Sequence, residues 1–159
     1  FELARYEGFG PGNCCVIIEC LTDNSSRTFN DVRLCFTKTK TKIGTQGSVS
    51  HMFDHLSILK FSDQDEEDAL DCLLLADVDV VDIENEAGVL TVFSPQTESF
   101  KAKQALSEAF GDIDYDVDEI QFIAQSSIEL AGEDLELFDA FMEMLQDLDD
   151  VQNVYHNVS

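Results

Sequence analysis

The order of hydrophobic patterns between residues 57 and 124 constrains the fold of this chain more than any other feature. Strand-like segments alternate there with segments whose apolar residues recur at helical spacing, and turn residues join the two middle strands as a hairpin. The segments are a strand at 57–61, a helix at 63–76, strands at 78–83 and 89–93, a helix at 97–110, and a last strand within 113–123. This strand–helix–strand–strand–helix–strand series is the ferredoxin-like order.

The two flanking segments contain too few strands to close a sheet separately. Their predicted elements are strands at 14–21, 48–53 and 151–155 and helices at 26–38 and 133–148. Joined, these elements supply one sheet and the helices that cover it. We therefore predict an α+β protein with two α+β domains. Residues 1–55 and 126–159 form a discontinuous domain, and residues 56–125 form a ferredoxin-like domain inserted into it.

The helix predicted at 26–38 has one apolar face and one charged face. Its apolar residues recur at the three-and-four spacing that makes a single buried stripe, and its first turn fits a capping box. The stripe is formed by Phe29, Val32, Cys35 and Phe36, and the capping box by Thr28 and Asp31.

A turn rich in glycine precedes the first apolar run. It contains Gly8, Gly10, Pro11 and Gly12, which permit positive φ and interrupt regular structure. The turn lacks the lysine and the spacing of a phosphate-binding loop. We therefore predict that these four residues form a structural turn.

Charge is distributed unevenly along the 159 residues, whose formal net charge is −24. Residues 1–60 hold seven Lys/Arg and six Asp/Glu, a net charge of +1, whereas residues 61–159 hold two Lys/Arg and 27 Asp/Glu, a net charge of −25. So acidic a surface repels phosphate. Any contact of this chain with nucleic acid is therefore expected in its first third.

Five cations are concentrated in that third, with only Asp31 against them between residues 25 and 44, so the local net charge is +4. One interpretation is a helix and loop that contact phosphate, and the other is a solvated helix face that balances the acidic remainder. No aromatic residue is interleaved with these cations on the charged face, so base stacking there is not predicted. The candidate nucleic-acid-binding residues are Arg27, Arg33, Lys38, Lys40 and Lys42.

Other chemistry-bearing residues form no recognisable site. The five cysteines lack metal-binding spacing and are expected to be reduced core thiols, which favours a cytoplasmic location. His51 and His55 have no third ligand at a suitable spacing, and an EF-hand starting at Asp112 fails at its glycine and glutamate positions. No apolar run reaches the roughly 18 residues of a membrane span. We predict no catalytic residue, no metal site and no cofactor, and hence a protein that is not an enzyme.

Several motifs, in order along nearly the whole chain, resemble the YebC family. The resemblance is carried by Tyr6-Glu7-Gly8-Phe9-Gly10-Pro11-Gly12, by Glu19-Cys20-Leu21-Thr22-Asp23-Asn24 with Arg27-Thr28, by Asp31-Val32-Arg33, by the segment 47–53, and by Asp149-Asp150-Val151-Gln152-Asn153-Val154-Tyr155-His156-Asn157. It implies an α+β second domain with a ferredoxin-like third domain inserted in it. The family's basic, helical first domain is expected to be absent here, and the chain, which does not start with methionine, is expected to be a piece of a longer protein.

The resemblance also implies a function. Members of the family are generally described as transcriptional regulators, which suggests a non-enzymatic regulator of gene expression that contacts nucleic acid. A ribosome-associated translation factor that binds RNA is the alternative, because the mitochondrial branch of the family acts in translation. An acidic adaptor that binds a basic protein partner is a second alternative. Contacts with nucleic acid or the ribosome are expected mostly through the absent domain and through residues 27–42.

Overall fold

A computed structural model describes all 159 residues as an α+β protein with two four-stranded sheets and four α-helices, which confirms the predicted fold class. The chain divides into two compact units, one formed by Phe1–Asp54 with Ile123–Ser159 and the other by His55–Phe122. The strands are β1 (Glu2–Phe9), β2 (Cys15–Thr22), β3 (Lys42–Ile43), β4 (Phe53–Ser62), β5 (Asp82–Glu86), β6 (Val89–Pro95), β7 (Val117–Ala124) and β8 (Val151–His156). The helices are α1 (Ser25–Lys38), α2 (Glu66–Leu75), α3 (Ser99–Phe110) and α4 (Gly132–Gln146).

The first unit is an antiparallel sheet, in the order β3-β1-β2-β8, with α1 and α4 packed on one face. Alternate residues of β2, among them Val16 and Ile18, point at the two helices and are fully buried. Phe36 of α1 and Phe141 of α4 meet there edge to face, with ring centroids 4.9 Å apart. Burial of each such side chain contributes about 1.5–3 kcal/mol. This core fixes which side of α1 faces outward.

The start of α1 differs from the prediction. Asn24 is the N-cap, and its side chain accepts a hydrogen bond from the Arg27 amide at 3.1 Å. Thr28 is buried and bonds instead to Thr22, at 2.7 Å between the two hydroxyl oxygens. The predicted capping box of Thr28 and Asp31 is therefore wrong, because tertiary contacts occupy the Thr28 hydroxyl.

The second unit has the strand order β5-β6-β4-β7, with α2 and α3 contributing to the same core. This is the strand order of a ferredoxin-like sheet, in which the two outer strands are those that follow the helices. Asp65 caps α2 by accepting from the Asp68 amide at 3.1 Å. The fully buried residues include Leu59, Phe61, Leu73, Leu90 and Leu106.

Two predicted strands differ from the structure. Residues 48–53 do not form a separate strand: Ser50–Met52 is a 3-10 turn, and β4 begins at Phe53. The backbone amides of Val49 and Ser50 bond to the Glu7 carboxylate rather than to a neighbouring strand. The strand predicted at 78–83 begins only at Asp82, because Val78 instead bonds back to Leu73 at the end of α2.

The first unit consists of two chain segments, and hydrogen bonds join the end of the first segment to the start of the second. The Gln125 amide donates to the Met52 carbonyl at 3.1 Å, and the Gln125 side chain donates to Asp54 at 3.1 Å. Continuity of the first unit is thereby maintained across the intervening 68 residues. None of the four α-helices combines the length and apolar composition needed to cross a membrane.

Candidate nucleic-acid interface

Helix α1 presents its predicted cations on two separate sides. Its buried residues are Thr28, Val32, Cys35 and Phe36, so residues 27, 33 and 38 face outward. Side chains four apart on a helix are neighbours, which puts Arg33 beside Phe29. Lys38, in contrast, lines a groove of about 280 Å³ with Asp31 and Asp147. The cations of α1, which were predicted to form one charged face, therefore lie on two different sides of the helix.

Arg27 is engaged by two carboxylates. Its Nη2 lies 3.0 Å from Asp23 Oδ1 and 2.9 Å from Asp150 Oδ2. The hydrogen bonds to these carboxylates raise the pKa of Arg27, and the bond to Asp150 has the larger effect. Asp150 also accepts the Thr28 hydroxyl at 2.7 Å. These contacts join the start of α1 to the residues before β8, which gives Arg27 a structural role.

Lys40 is also paired. It follows α1 with φ of +65°, and its Nζ lies 2.9 Å from Glu133 Oε1 on the first turn of α4. The hydrogen bond to Glu133 raises the pKa of Lys40 and lowers that of Glu133. Both side chains are exposed, so the pair contributes little to the stability of the fold.

The three remaining candidates, Arg33, Lys38 and Lys42, are exposed and form no ion pair. Lys42 lies on the edge strand β3, opposite Phe9 of β1. Arg33 and Lys42 are thus the two candidate cations that have neither a carboxylate partner nor a place in a groove lined by aspartates.

A surface aromatic residue next to Arg33 was missed in the sequence. Phe29 was predicted to be buried, but its side chain is 40% exposed, because the stripe that packs on the sheet is centred on Val32 and Phe36. Its ring lies 6.0 Å from that of Tyr6 at an angle of 53°. The signal that could have identified it is its position one helical turn before Arg33.

Tyr6 and Phe29 line a cavity of about 450 Å³ at the edge of the first sheet. The strand β3 pairs with β1 at Gly8 and Phe9, and the Gly44 amide donates to the Glu7 carbonyl at 2.9 Å, so the cavity lies beyond the end of this pairing. Gln46 spans part of it by donating to the Arg5 carbonyl at 3.0 Å. The remaining lining residues are Arg5, Glu7, Ile43, Gly44 and Thr45.

A second cavity, of about 360 Å³, lies at the other side of α1 and is acidic. Asp31, Asp147, Asp149 and Asp150 line it together with Arg27. This concentration of carboxylates repels phosphate. It leaves the side of α1 that carries Phe29 and Arg33 as the more favourable one for an anionic polymer.

The predicted structural turn is tighter than expected. Gly8 belongs to β1, contrary to the prediction, and the turn proper starts at Gly10, whose amide donates to the Cys14 carbonyl at 2.8 Å. Pro11 opens a 3-10 turn, and Gly12 takes φ of +66°. Gly8 is needed for a different reason: a Cβ there would lie 2.7 Å from the Gly44 backbone nitrogen.

All five cysteines are free thiols, and four of them are buried. Burial raises the pKa of Cys14 and of Cys20 to about 11, so neither thiol is ionised near neutral pH. His51 contacts the Gly47 carbonyl, whereas His55 stacks on Phe122 with centroids 3.9 Å apart. The described residues contain no group of three or more His, Cys, Asp or Glu placed to hold a metal ion.

Comparison with known families agrees with this architecture. The family described as TACO1/YebC second and third domain matches residues 1–158. The chain belongs to the TACO1/YebC family. Family membership accounts for the two α+β units, since the match covers the second and third domains of the family.

Curated relatives of this TACO1/YebC chain share most of its sequence. A probable transcriptional regulatory protein of Hydrogenovibrio crunogenus is 67% identical over 159 residues, covering 99% of this chain and 66% of the relative. One from Chromohalobacter salexigens is 64% identical over 157 residues, covering 99% of this chain and 65% of the relative. The chain thus spans about 65% of the length of these relatives.

A solved structure has the same fold. The crystal structure of a conserved hypothetical protein from Aquifex aeolicus superposes with a TM-score of 0.70 at 26% identity, covering all of this chain and 65% of that one. The curated relatives from Hydrogenovibrio crunogenus and Chromohalobacter salexigens are both named probable transcriptional regulatory proteins, which supports a family of regulators.

Proposed function

We propose that this chain is part of a non-enzymatic regulator of gene expression that contacts nucleic acid through Arg33 and Lys42. The observation that carries the proposal is that these cations stay exposed and without an ion pair on a chain of net charge −24. Unpaired cations on so acidic a chain are suited to an anionic partner. The regulatory names of the relatives agree with this reading.

The first test is the salt dependence of binding. Each phosphate contact contributes a slope of about −0.7 to −0.9 to the dependence of log K on log salt concentration. Arg33→Gln and Lys42→Gln are each expected to flatten that slope by one contact and to weaken binding of RNA or DNA oligonucleotides.

Matched controls are available in the same segment. Arg27→Gln and Lys40→Gln remove the same charge from residues whose side chains are already held by carboxylates. Their slopes should change less than those of Arg33→Gln and Lys42→Gln. Equal slopes for all four variants would show that the unpaired cations contact phosphate no more than the paired ones. That result would contradict the proposal.

Transcription and translation can be separated by one experiment on the longer protein. For a translation factor, co-sedimentation with ribosomes is expected, and nuclease treatment of free RNA and DNA should not abolish it. For a transcriptional regulator, the association should follow DNA and disappear with DNase.

A second candidate function is binding of a basic protein. It is favoured by the net charge of −25 over residues 61–159, which exceeds what solubility requires. Capture of basic proteins that survives nuclease treatment and is lost at high salt would support it. Loss of all captured protein after nuclease treatment would contradict it.

A further inference from the structure

We propose that the cavity beside Phe29 binds an unpaired nucleobase, which makes single-stranded nucleic acid the preferred ligand of this surface. The inference rests on the proposed function and names the form of nucleic acid recognised. It starts from an aromatic ring that is 40% exposed although it belongs to a helix packed on a sheet. Unstacked bases are commonly held on exposed aromatic rings, whereas bases within a duplex are not accessible to them.

The Phe29 ring contacts a second aromatic side chain that lines the same cavity. Tyr6 packs against Phe29 with centroids 6.0 Å apart, and the Tyr6 hydroxyl donates to the Ser25 carbonyl at 3.4 Å. Burial raises the pKa of Tyr6, so its hydroxyl remains neutral and adds no negative charge. The contact with Tyr6 restricts the Phe29 ring, and such a restriction lowers the entropic cost of binding.

The cavity has the size and the polar groups that a base requires. Its volume of about 450 Å³ is within the range of small-molecule sites, about 300–1,000 Å³. The Gln46 side-chain nitrogen is fixed by its bond to the Arg5 carbonyl, which leaves the amide oxygen available to accept from a base. Ile43 adds an apolar wall.

The charges around this cavity are compatible with a phosphate backbone. Arg33 follows Phe29 by one helical turn, and Arg5 is one of the lining residues. Glu7 is the one acidic lining residue, and its Oε1 accepts from the Val49 and Ser50 amides at 2.9 Å each. The cavity at the other side of α1, in contrast, is lined by four aspartates.

A tryptophan reporter tests the stacking directly, because the chain contains no tryptophan. The Phe29→Trp variant should bind single-stranded oligonucleotides and lose fluorescence on binding, as the indole stacks on a base. The matched control is Phe100→Trp, at a phenylalanine that is 76% exposed in the other unit. An equal fluorescence loss in both variants, or none in Phe29→Trp despite binding, would overturn the inference.

Affinity gives the second readout. Phe29→Leu should weaken binding of single-stranded oligonucleotides about tenfold while keeping the salt slope. Phe100→Leu should leave the affinity unchanged, and circular dichroism checks that both variants fold. Measuring the affinity for an RNA strand and a DNA strand of the same sequence shows which of the two nucleic acids supplies the unpaired base.

The outcomes separate this inference from the proposed function. If a duplex binds as tightly as a single strand and Phe29→Leu has no effect, the base site is wrong. In that case a salt slope flattened by Arg33→Gln still supports the proposed function. If no oligonucleotide binds at any salt concentration, the proposed function fails as well.

Discussion

At the scale of single residues, the most connected surface carboxylate is Asp150. It accepts hydrogen bonds from the Thr28 hydroxyl and from Arg27. Both bonds lower the pKa of Asp150, and the bond from Thr28 has the larger effect. In the sequence, Arg27 was indistinguishable from the other cations. Its contact with Asp23 is local, but its contact with Asp150 depends on a residue 123 positions away, which only the folded chain brings close.

Asp150→Asn is predicted to lower the melting temperature at pH 7. The folded pKa lies below the ordinary value of 3.8, so the stabilisation is complete above that value and is lost as pH falls through the folded pKa. The difference in melting temperature between the variant and the parent chain should therefore shrink below about pH 4. Thermal denaturation at several pH values measures it.

Asp149→Asn is the matched control, because Asp149 lies beside Asp150 in the same acidic cavity. It should remove the same charge with little loss of stability. An equal or larger loss of stability at Asp149 would show that the hydrogen bonds of Asp150 to Thr28 and Arg27 do not determine the result.

Glu7 is the second residue whose role depends on its surroundings. Its side chain is 1% exposed, and burial alone would raise its pKa, but hydrogen bonds from the amides of Val49, Gly47 and Ser50 outweigh burial and lower it. A carboxylate thus holds the 3-10 turn at Ser50–Met52 against β1.

Glu7→Gln is predicted to destabilise the chain by about 2 kcal/mol, since hydrogen bonds to a charged group are each worth about 1.5–3 kcal/mol. Chemical denaturation at pH 7 measures the change. Because the folded pKa lies below the ordinary 4.5, the deficit should diminish as pH falls below about 4.5. Glu2→Gln, at an exposed position of the same strand, should have almost no effect.

At the scale of elements, α1 combines a buried stripe with two chemically distinct outer sides. One side carries Phe29 and Arg33, and the other carries Asp31 and Lys38. The helical repeat of 3.6 residues separates these pairs, although they alternate in the sequence. Net charge over a window cannot therefore describe the surface of this helix.

The contact between β1 and β3 provides a test at this scale. Gly8→Ala is predicted to displace β3, because its Cβ would lie 2.7 Å from the Gly44 nitrogen and 3.1 Å from Phe36 Cε1. We expect a loss of about 1–3 kcal/mol, the usual range for overpacking. The Gly44 amide, which donates to the Glu7 carbonyl at 2.9 Å, should lose protection from hydrogen exchange.

Gly47→Ala is the comparison, since Gly47 has φ of +87° and open space around its Cα. It should cost about 1–2 kcal/mol through backbone strain alone. The Gly44 amide should keep its protection there. Loss of protection in both variants would indicate that the whole segment, rather than the close approach at Gly8, is sensitive.

At the scale of the whole molecule, each unit has its own sheet and its own core. Residues 55–122 are predicted to fold by themselves and to unfold cooperatively, as judged by coincident melting in far-UV circular dichroism and amide exchange. The first unit should also fold when Asp54 and Ile123 are joined by a short glycine linker, because Gln125 already bonds to Met52 and Asp54. Failure of both pieces to fold would mean that the two cores depend on each other.

Sequence alone determined the fold class and most of the order of the elements, but it did not predict the strands β1 and β3. Apolar periodicity is local, and it identified α1 and α4 within one or two residues and the ferredoxin-like series between them. The strands predicted at 48–53 and 78–83 differ from the structure, although the residues at 48–53 alternate as in a strand. The Val49 amide bonds to Glu7, 42 positions away, and the Val78 amide bonds to Leu73 at the end of α2, and apolar periodicity indicates neither contact.

The tertiary structure alone decided which candidate residues remain available to a partner. Arg27 and Lys40 are occupied by Asp150 and Glu133, which lie far away in the chain and approach only because α4 and β8 pack beside α1 and β2. The exposure of Phe29 follows from the face of α1 that packs on the sheet, which is centred on Val32 and Phe36. Charge and composition are properties of the sequence, but pairing and exposure are properties of the packed molecule.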